Sequence, residues 1–221
     1  MQNNPATYIV PECTEQVRIV WQDDELMFVS KPSGLLSVPG RNPANRDCVI
    51  SRIQETYPEA RIAHRLDLDT SGLMVLALTA PARAHLGRQF EKRAMSKRYI
   101  AVVYGHLERE SGTVDLPMIA DWEKRPLQKI DYTHGKEAIT EYRVLERGDN
   151  RTRVLLEPQT GRSHQLRLHM TAIGHPILGC DFYAHDEAYG MASRLLLHAE
   201  TLTLFHPVSN ERITVTDPCP F

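Results

Sequence analysis

The sequence predicts an α+β fold built on a mixed, mainly antiparallel β-sheet. Three observations carry that expectation. Apolar segments of strand length outnumber amphipathic segments of helix length. Several of the strand-like segments are joined by short turns rich in Gly, Asn, Asp and Ser. The helix-like segments fall irregularly among them, without the regular alternation that a parallel α/β sheet requires.

Taken in order, residues 1–16 read as a loose N-terminal arm. VRIV and LMFVSK, on either side of the turn-like QDDE, read as a strand pair. KPSGLLSVPG is loop-like, with Pro and Gly at both ends. DCVISRIQETY carries apolar residues at 49, 50, 53 and 57 behind a candidate cap, Asp47, and predicts a helix. LMVLALT (73–79) is a continuous apolar run suited to a central strand. From Pro81 to Met95, Ala82, Leu86, Phe90 and Ala94 form one stripe and predict a second helix. RYIAVVYG, TEYRVLE and TRVLLEP are strands, the last two joined by the turn RGDN. SHQLRLHMTAIG is a helix, with Ser163 as candidate N-cap, Leu166, Met170 and Ile173 as its buried stripe, and Gly174 as its stop. LLLHAETLTLF and ERITVTD close the chain as strands around the turn PVSN.

The 221 residues fit one large domain or two small ones. Apolar residues make up 42% and charged residues 24%, the balance of a globular protein with a real core. No apolar run approaches the roughly 18 residues that span a bilayer, so no membrane partner is expected. The N-terminus lacks the basic and apolar regions of a signal peptide, which predicts a cytoplasmic protein. The four cysteines (Cys13, Cys48, Cys180, Cys219) form no CxxC and indicate neither a zinc ribbon nor a disulfide framework. A net charge of −2 argues against a non-specific nucleic-acid binder but not against a local basic surface. RQFEKRAMSKR (88–98) has five Lys/Arg against one Glu, readable as a solvated helix face or as such a surface.

Three segments carry candidate chemistry. HRLDLDTSG (64–72) places Asp67 and Asp69 two residues apart, on one side of an extended backbone. Close carboxylates suit glycosidic-bond chemistry. A phosphatase-like DxDx(T/V) reading fails, because Thr70 comes one place early and the apolar strand follows the motif. The string also reads simply as a turn capping the next strand. QTGRSHQLRLH (159–169) sets Arg162, His164, Arg167 and His169 around a predicted helix start, which favours an anion. His164 and His169 lie about 140° apart round a helix, so they do not form an i,i+4 metal pair; no metal site is expected. KRYIAVVYGH places Lys97 and Arg98 before Tyr99, a basic edge beside an aromatic ring on which a base could stack.

KPSGLLSVPG, HRLDLDTSGLMVLAL, KRYIAVVYG, TGRSHQLRLHMTAIGHPILGCDFY and LLLHAETLTLFHP, in that order, closely resemble the RluA-type pseudouridine synthases. The likeness runs from about Val17 to the C-terminus. HRLDxxTSG followed by GRSHQLRxH is highly specific to that family. In length and wording the chain is most similar to members acting on both large-subunit ribosomal RNA and the tRNA anticodon loop. The resemblance implies a pseudouridine synthase catalytic domain over 17–221, without the S4-like RNA-binding domain common in the family. It also implies a central sheet flanked by helices, with an RNA-binding cleft across it.

What the resemblance implies for chemistry is isomerisation of uridine in RNA. The N1–C1′ bond breaks, the uracil turns, and the ring rejoins through C5, with neither metal nor redox cofactor. Asp67 is the implied catalytic aspartate, acting on sugar or base or as a base. Tyr99 stacks on the uracil and its hydroxyl is placed to take the C5 proton. Arg167 is the arginine expected to keep the aspartate ionised. Arg65 enters the helical stack where the uridine leaves, offsetting part of the extrusion cost. Lys97, Arg98, Arg162 and His164 are expected RNA contacts. Thr70, Ser71 and Gly72 read as the turn before the strand. The expected partners are a tRNA anticodon stem-loop and large-subunit ribosomal RNA, met by a monomer. Two rival readings stand beside this one: an Asp-dependent hydrolase of glycosidic or phosphate bonds, and a non-catalytic RNA-binding module.

Overall fold

The apolar run after HRLDLDT forms β4 (Ser71–Ala77), and every residue of it is buried. Leu73, Val75 and Ala77 pack into one core, while Met74 and Leu76 face the other way and are equally enclosed. A strand covered on both faces needs a continuous apolar sequence rather than an alternating one. In this computed structural model, which describes residues 8–221, the chain divides into two compact units. The first comprises the described residues up to Lys97 together with His198–Pro220; the second comprises Arg98–Leu197 with Phe221.

In the first unit β4 is bordered by β2 (Leu26–Lys31), which pairs antiparallel with it and with β1 (Arg18–Gln22). Two residues, Arg61–Ile62, form β3 on β4. On its other side β4 meets β11 (Leu197–Phe205) in parallel through His198↔Ser71, and β11 pairs antiparallel with β12 (Arg212–Thr216). Helix α2 (Ala80–Glu91) lays Ala82 and Leu86 on the core of Leu26, Phe28, Leu73, Val75, Leu202 and Leu204. Gln89, also buried, binds both backbone groups of Phe205 (Nε2 to O, 2.7 Å; N to Oε1, 2.8 Å).

In the second unit β5 (Ser96–Tyr104, which enters it at Arg98), β10 (Arg151–Pro158), β9 (Ile139–Gly148) and β6 (Ser111–Asp115) are neighbours in that order, all antiparallel. A separate hairpin joins β7 (Met118–Ala120) to β8 (Gln128–Ile130). Helix α3 (Gln165–Ala172) places Leu166 and Met170, one turn apart, in a core with Ala101, Val103, Val154, Leu156 and Ile177. A short helix, α4 (Asp186–Gly190), follows. The mixed, mainly antiparallel sheet structure and sparse helices match the α+β expectation.

Four local expectations are corrected. Helix α1 (Val49–Gln54) is capped by Cys48, whose Sγ accepts from Ser51 N, while Asp47 instead pairs with Arg52 (2.6 Å). Helix α2 stops at Glu91 because Arg93 turns to a positive φ of 53°, which leaves Ala94 exposed and off the stripe. Ser163 does not cap α3: the cap position is His164, in the left-handed region at φ 55°. Ser71 and Gly72 are the first residues of β4, not a turn. The sequence predicts none of β3, β6, β7, β8 and α4, all of them five residues or fewer. The arm's residues 1–7 lie outside the described residues. From Tyr8 on, the arm is tied down: Val10 N donates to Asn45 Oδ1 (2.9 Å), and Arg52 donates to the Glu15 carbonyl (2.6 Å).

Candidate active site

The first group of predicted residues sits on the irregular segment that leads into β4. Arg65 is exposed, Asp67 is half-buried, and Leu66 between them is buried. The loop KPSGLLS clamps this backbone. Ser37 Oγ donates to the Leu66 carbonyl (2.8 Å) and accepts the Leu66 N–H (3.1 Å). The Leu68 carbonyl accepts from Gly34 N (3.0 Å) and from Lys31 Nζ (2.8 Å). Ser33 Oγ donates to the Asp69 carbonyl (2.7 Å). Backbone groups on both sides of Asp67 are therefore fixed, while its side chain is left to present a carboxylate. Lys31 itself has no exposed surface and spends its donors on the carbonyls of Pro32 (2.8 Å), Leu35 (2.7 Å) and Leu68.

His64, the first residue of the motif, is part of the mounting. Its Nε2 accepts the Val75 N–H (3.0 Å) and its ring lies against Phe90 (4.8 Å between centroids). Burial, helped by the ammonium of Lys97, pushes its pKa down to about 3, so the ring is neutral and locked as an acceptor. Burial likewise lowers the pKa of Lys97. At the end of the motif, Ser71 Oγ meets His198 Nδ1 (2.9 Å), and His198 Nε2 meets the Asp217 carbonyl (2.9 Å).

The second group surrounds the start of α3. Gln165 is buried and makes four bonds. Its Oε1 accepts from Thr160 Oγ1 (2.7 Å) and Arg162 N (3.0 Å), and its Nε2 donates to Ile139 O (2.9 Å) and Thr140 Oγ1 (3.0 Å). That knot fixes the turn QTGR. Arg162 Nε then donates to the Glu137 carbonyl (2.9 Å). Arg167 is 2% exposed; its Nη2 pairs with Asp181, its Nε donates to Cys180 Sγ (3.2 Å), and its guanidinium carbon lies 4.9 Å from the Phe182 ring centroid. His164 stacks on the same Phe182 (5.5 Å, 24°) and bonds Tyr183 Oη through Nδ1 (2.7 Å). Tyr99, half-buried on β5, packs against the second unit's core. Arg98 pairs with Glu157 at 2.9 Å on the surface, where such a pair contributes little.

Thus Arg65, Asp67 and Lys97 belong to the first unit, and Arg98, Tyr99, Arg162, His164 and Arg167 to the second. The sequence assigns no site role to the supporting residues Lys31, Ser33 and Ser37 or to CDFY (180–183), although both segments lie in strings that carry the family resemblance. KPSG looked like an ordinary loop, and nothing in the one-dimensional pattern links residue 181 to residue 167. His169 has no exposed surface and is bonded to Thr140 Oγ1 (3.0 Å) and the Leu116 carbonyl (3.1 Å). Among the described residues, no three His, Cys, Asp or Glu side chains are grouped to hold a metal.

Comparison with known proteins gives this geometry a family. Residues 25–172 match the model for RNA pseudouridylate synthase. The dual-specificity RNA pseudouridine synthase RluA of Escherichia coli K12 is 55% identical over 204 residues, 92% of this chain and 93% of that protein. The Yersinia pestis protein of the same name is 57% identical over 190 residues, 86% of this chain and 92% of that protein. Among solved structures, human RNA pseudouridylate synthase domain containing 1 superposes with a TM-score of 0.82 at 30% identity, covering 96% of this chain and 86% of that one. The chain belongs to the RNA pseudouridylate synthase family.

Proposed function

We propose that this chain isomerises uridine to pseudouridine in both ribosomal RNA and tRNA, with Asp67 as the catalytic carboxylate. The observation that supports this most is the clamp on the Asp67 loop. Four donors from KPSGLLS, two hydroxyls, one amide and one ammonium, hold the Leu66, Leu68 and Asp69 carbonyls. Catalytic groups need such fixed backbones, since misplacement of about 1 Å costs roughly 100-fold in rate. A merely adhesive aspartate does not. The dual-specificity names of relatives more than 50% identical support the breadth of substrate.

In this reading the uridine leaves the helical stack and Arg65, exposed two residues from Asp67, fills the gap. Asp67 acts on the extruded nucleotide while N1–C1′ breaks and C5–C1′ forms. Tyr99 stacks on the uracil, and its hydroxyl takes the proton that C5 must lose as it passes its own proton to solvent; N1 takes up one proton, so the reaction balances without an oxidant or co-substrate. Arg167, oriented by Asp181 and Phe182, supplies positive charge at the site. Lys97, Arg98, Arg162 and His164 hold the RNA.

The test is Asp67→Asn. Tritium release from C5-labelled uridine RNA should fall to background, while RNA affinity by filter binding stays within about tenfold, or about 1.4 kcal/mol. Substantial residual turnover by the Asn variant would overturn the assignment. Release of free uracil by the wild type would favour a glycosidic hydrolase instead.

A further inference from the structure

We infer that Tyr183 is a positioning residue that fixes the tautomer of His164, so that His164 presents its Nε2–H to a phosphate oxygen of the RNA. This inference rests on the proposal that His164 is an RNA contact, and it adds a residue and an atom to it.

The geometry is local to the start of α3. Tyr183 Oη lies 2.9 Å from the backbone N of Gln128 in β8 and 2.7 Å from His164 Nδ1. The backbone N–H can only donate, so the phenol oxygen accepts there. A phenol carries one proton and imidazole nitrogen is the stronger base, so O–H···N is the favoured arrangement for the second bond. Nδ1 is then the acceptor, and the ring's own proton sits on Nε2. The bond made by one ring nitrogen sets the state of the other. His164 is also held in a costly conformation. Its φ of 55° is left-handed for a residue with a Cβ, a state that costs about 1–2 kcal/mol. Stacking on Phe182 (5.5 Å, 24°) holds the ring there. Backbone strain, ring stacking and the Tyr183 bond converge on one imidazole that is only half-buried.

The target is an anion. Arg162 stands two residues before His164, and the first turn of α3 follows it directly. Both favour negative charge at this spot. An N–H donor between them suits a backbone phosphate.

Three measurements test the inference. In the RNA-free protein, nitrogen-15 NMR of the imidazoles, with His164 assigned by loss of its signals in His164→Gln, should show the Nε2–H tautomer at a pH where the ring is neutral. Tyr183→Phe keeps the aromatic packing and should yield a mixture of tautomers. A wild-type ring protonated on Nδ1, or a ratio unchanged in Tyr183→Phe, overturns the inference whatever the enzyme does to RNA. In turnover, Tyr183→Phe should lower kcat/KM about tenfold, equivalent to about 1.4 kcal/mol, through KM rather than kcat, because a phosphate contact is made before and during the reaction alike. A structural lesion lowers the active fraction and so moves apparent kcat.

The third measurement does not depend on Tyr183→Phe folding well. A glutamine amide nitrogen overlays Nε2, and an asparagine amide nitrogen overlays Nδ1. His164→Asn should therefore lose at least about tenfold more kcat/KM than His164→Gln, or about 1.4 kcal/mol. One neutral methylphosphonate linkage in the stem-loop should weaken the wild type and add nothing to His164→Asn. Equal losses in the two variants, or independent effects at every linkage, defeat the phosphate assignment. Failure of the Asp67 test with the tautomer result intact would instead point to a different reaction in the same site.

Discussion

Lys31 shows what a single buried charge does here. Its ammonium has no exposed surface and donates to three carbonyl oxygens, two in its own loop and one next to Asp67. A carbonyl withdrawn from water without a donor is expensive, and more so in a low-dielectric interior. Lys31→Met keeps the length and removes the donors. It should lower the unfolding free energy by about 3 kcal/mol or more, from partly orphaned carbonyls at 1–3 kcal/mol each, measured by urea denaturation. It should also reduce turnover in the fraction that remains folded, because the Leu68 carbonyl is then held by Gly34 N alone. A loss below about 1 kcal/mol with full activity would show that the loop holds itself. Nothing in the one-dimensional pattern points to this role, since lysines are rarely fully buried and this one sits in a Pro/Gly-rich segment.

At the scale of elements, the start of β4 depends on close approach to β11. Gly72 has a φ of 108°, and a Cβ built there would lie 2.3 Å from the Ala199 carbonyl oxygen. Both the dihedral and the space demand glycine. Gly72→Ala should therefore force the parallel β4–β11 pair apart and break Ser71–His198, which is the neighbouring register pair. A loss of about 3 kcal/mol or more is expected, from backbone strain plus a displaced strand, with a lowered Tm as the readout. Wild-type stability in that variant would mean that the strands separate without cost. Gln89 fixes the same strand at its far end, bonding both backbone groups of Phe205 from α2. Both contacts are invisible in sequence because each spans more than 110 residues.

For the whole molecule, stability should fall in acid for a reason that can be traced. The pKa of His64 drops from 6.5 in the unfolded chain to about 3 in the fold. Between those values the unfolded chain binds a proton that the folded one rejects, so stability decreases as pH falls through that window and is unaffected by His64 above it. Burial lowers the pKa of His169 as well, in the same direction. His64→Gln keeps an oxygen for the Val75 N–H and removes the titration. Between pH 7 and pH 4 the wild type should lose at least about 1.4 kcal/mol more than this variant, one pKa unit's worth; equal losses in urea melts would refute the assignment. Substrate recognition is also a property of the whole chain. With a net charge of −2, the protein cannot draw on a large counterion-release term. Recognition should be local, and an anticodon stem-loop of about 17 nucleotides should be a competent substrate, as loop-centred RNA recognition suggests. Inert stem-loops alongside well-modified full-length tRNA would require a distal binding surface.

The sequence alone determined the fold class, most of the long elements and the family. Those are local properties: LMFVSK occupies β2 to the residue, the apolar LMVLAL specifies a strand buried on both faces, and HRLDLDTSG with GRSHQLRLH is a pattern of short-range spacing. Caps and ends were less legible. Cys48 took the position offered to Asp47, and His164 displaced Ser163 because the turn before α3 is set by Gln165 and its four partners rather than by capping propensity. The supporting residues of the candidate site were not legible at all. Lys31, Ser37, Asp181 and Tyr183 gain their roles only when segments distant along the chain bond to one another: Ser37 with Leu66, Lys31 with Leu68, Asp181 with Arg167, Tyr183 with His164 and Gln128. A hydrogen bond depends on distance and direction in space, and neither is encoded in the local period of hydrophobicity from which a sequence is read.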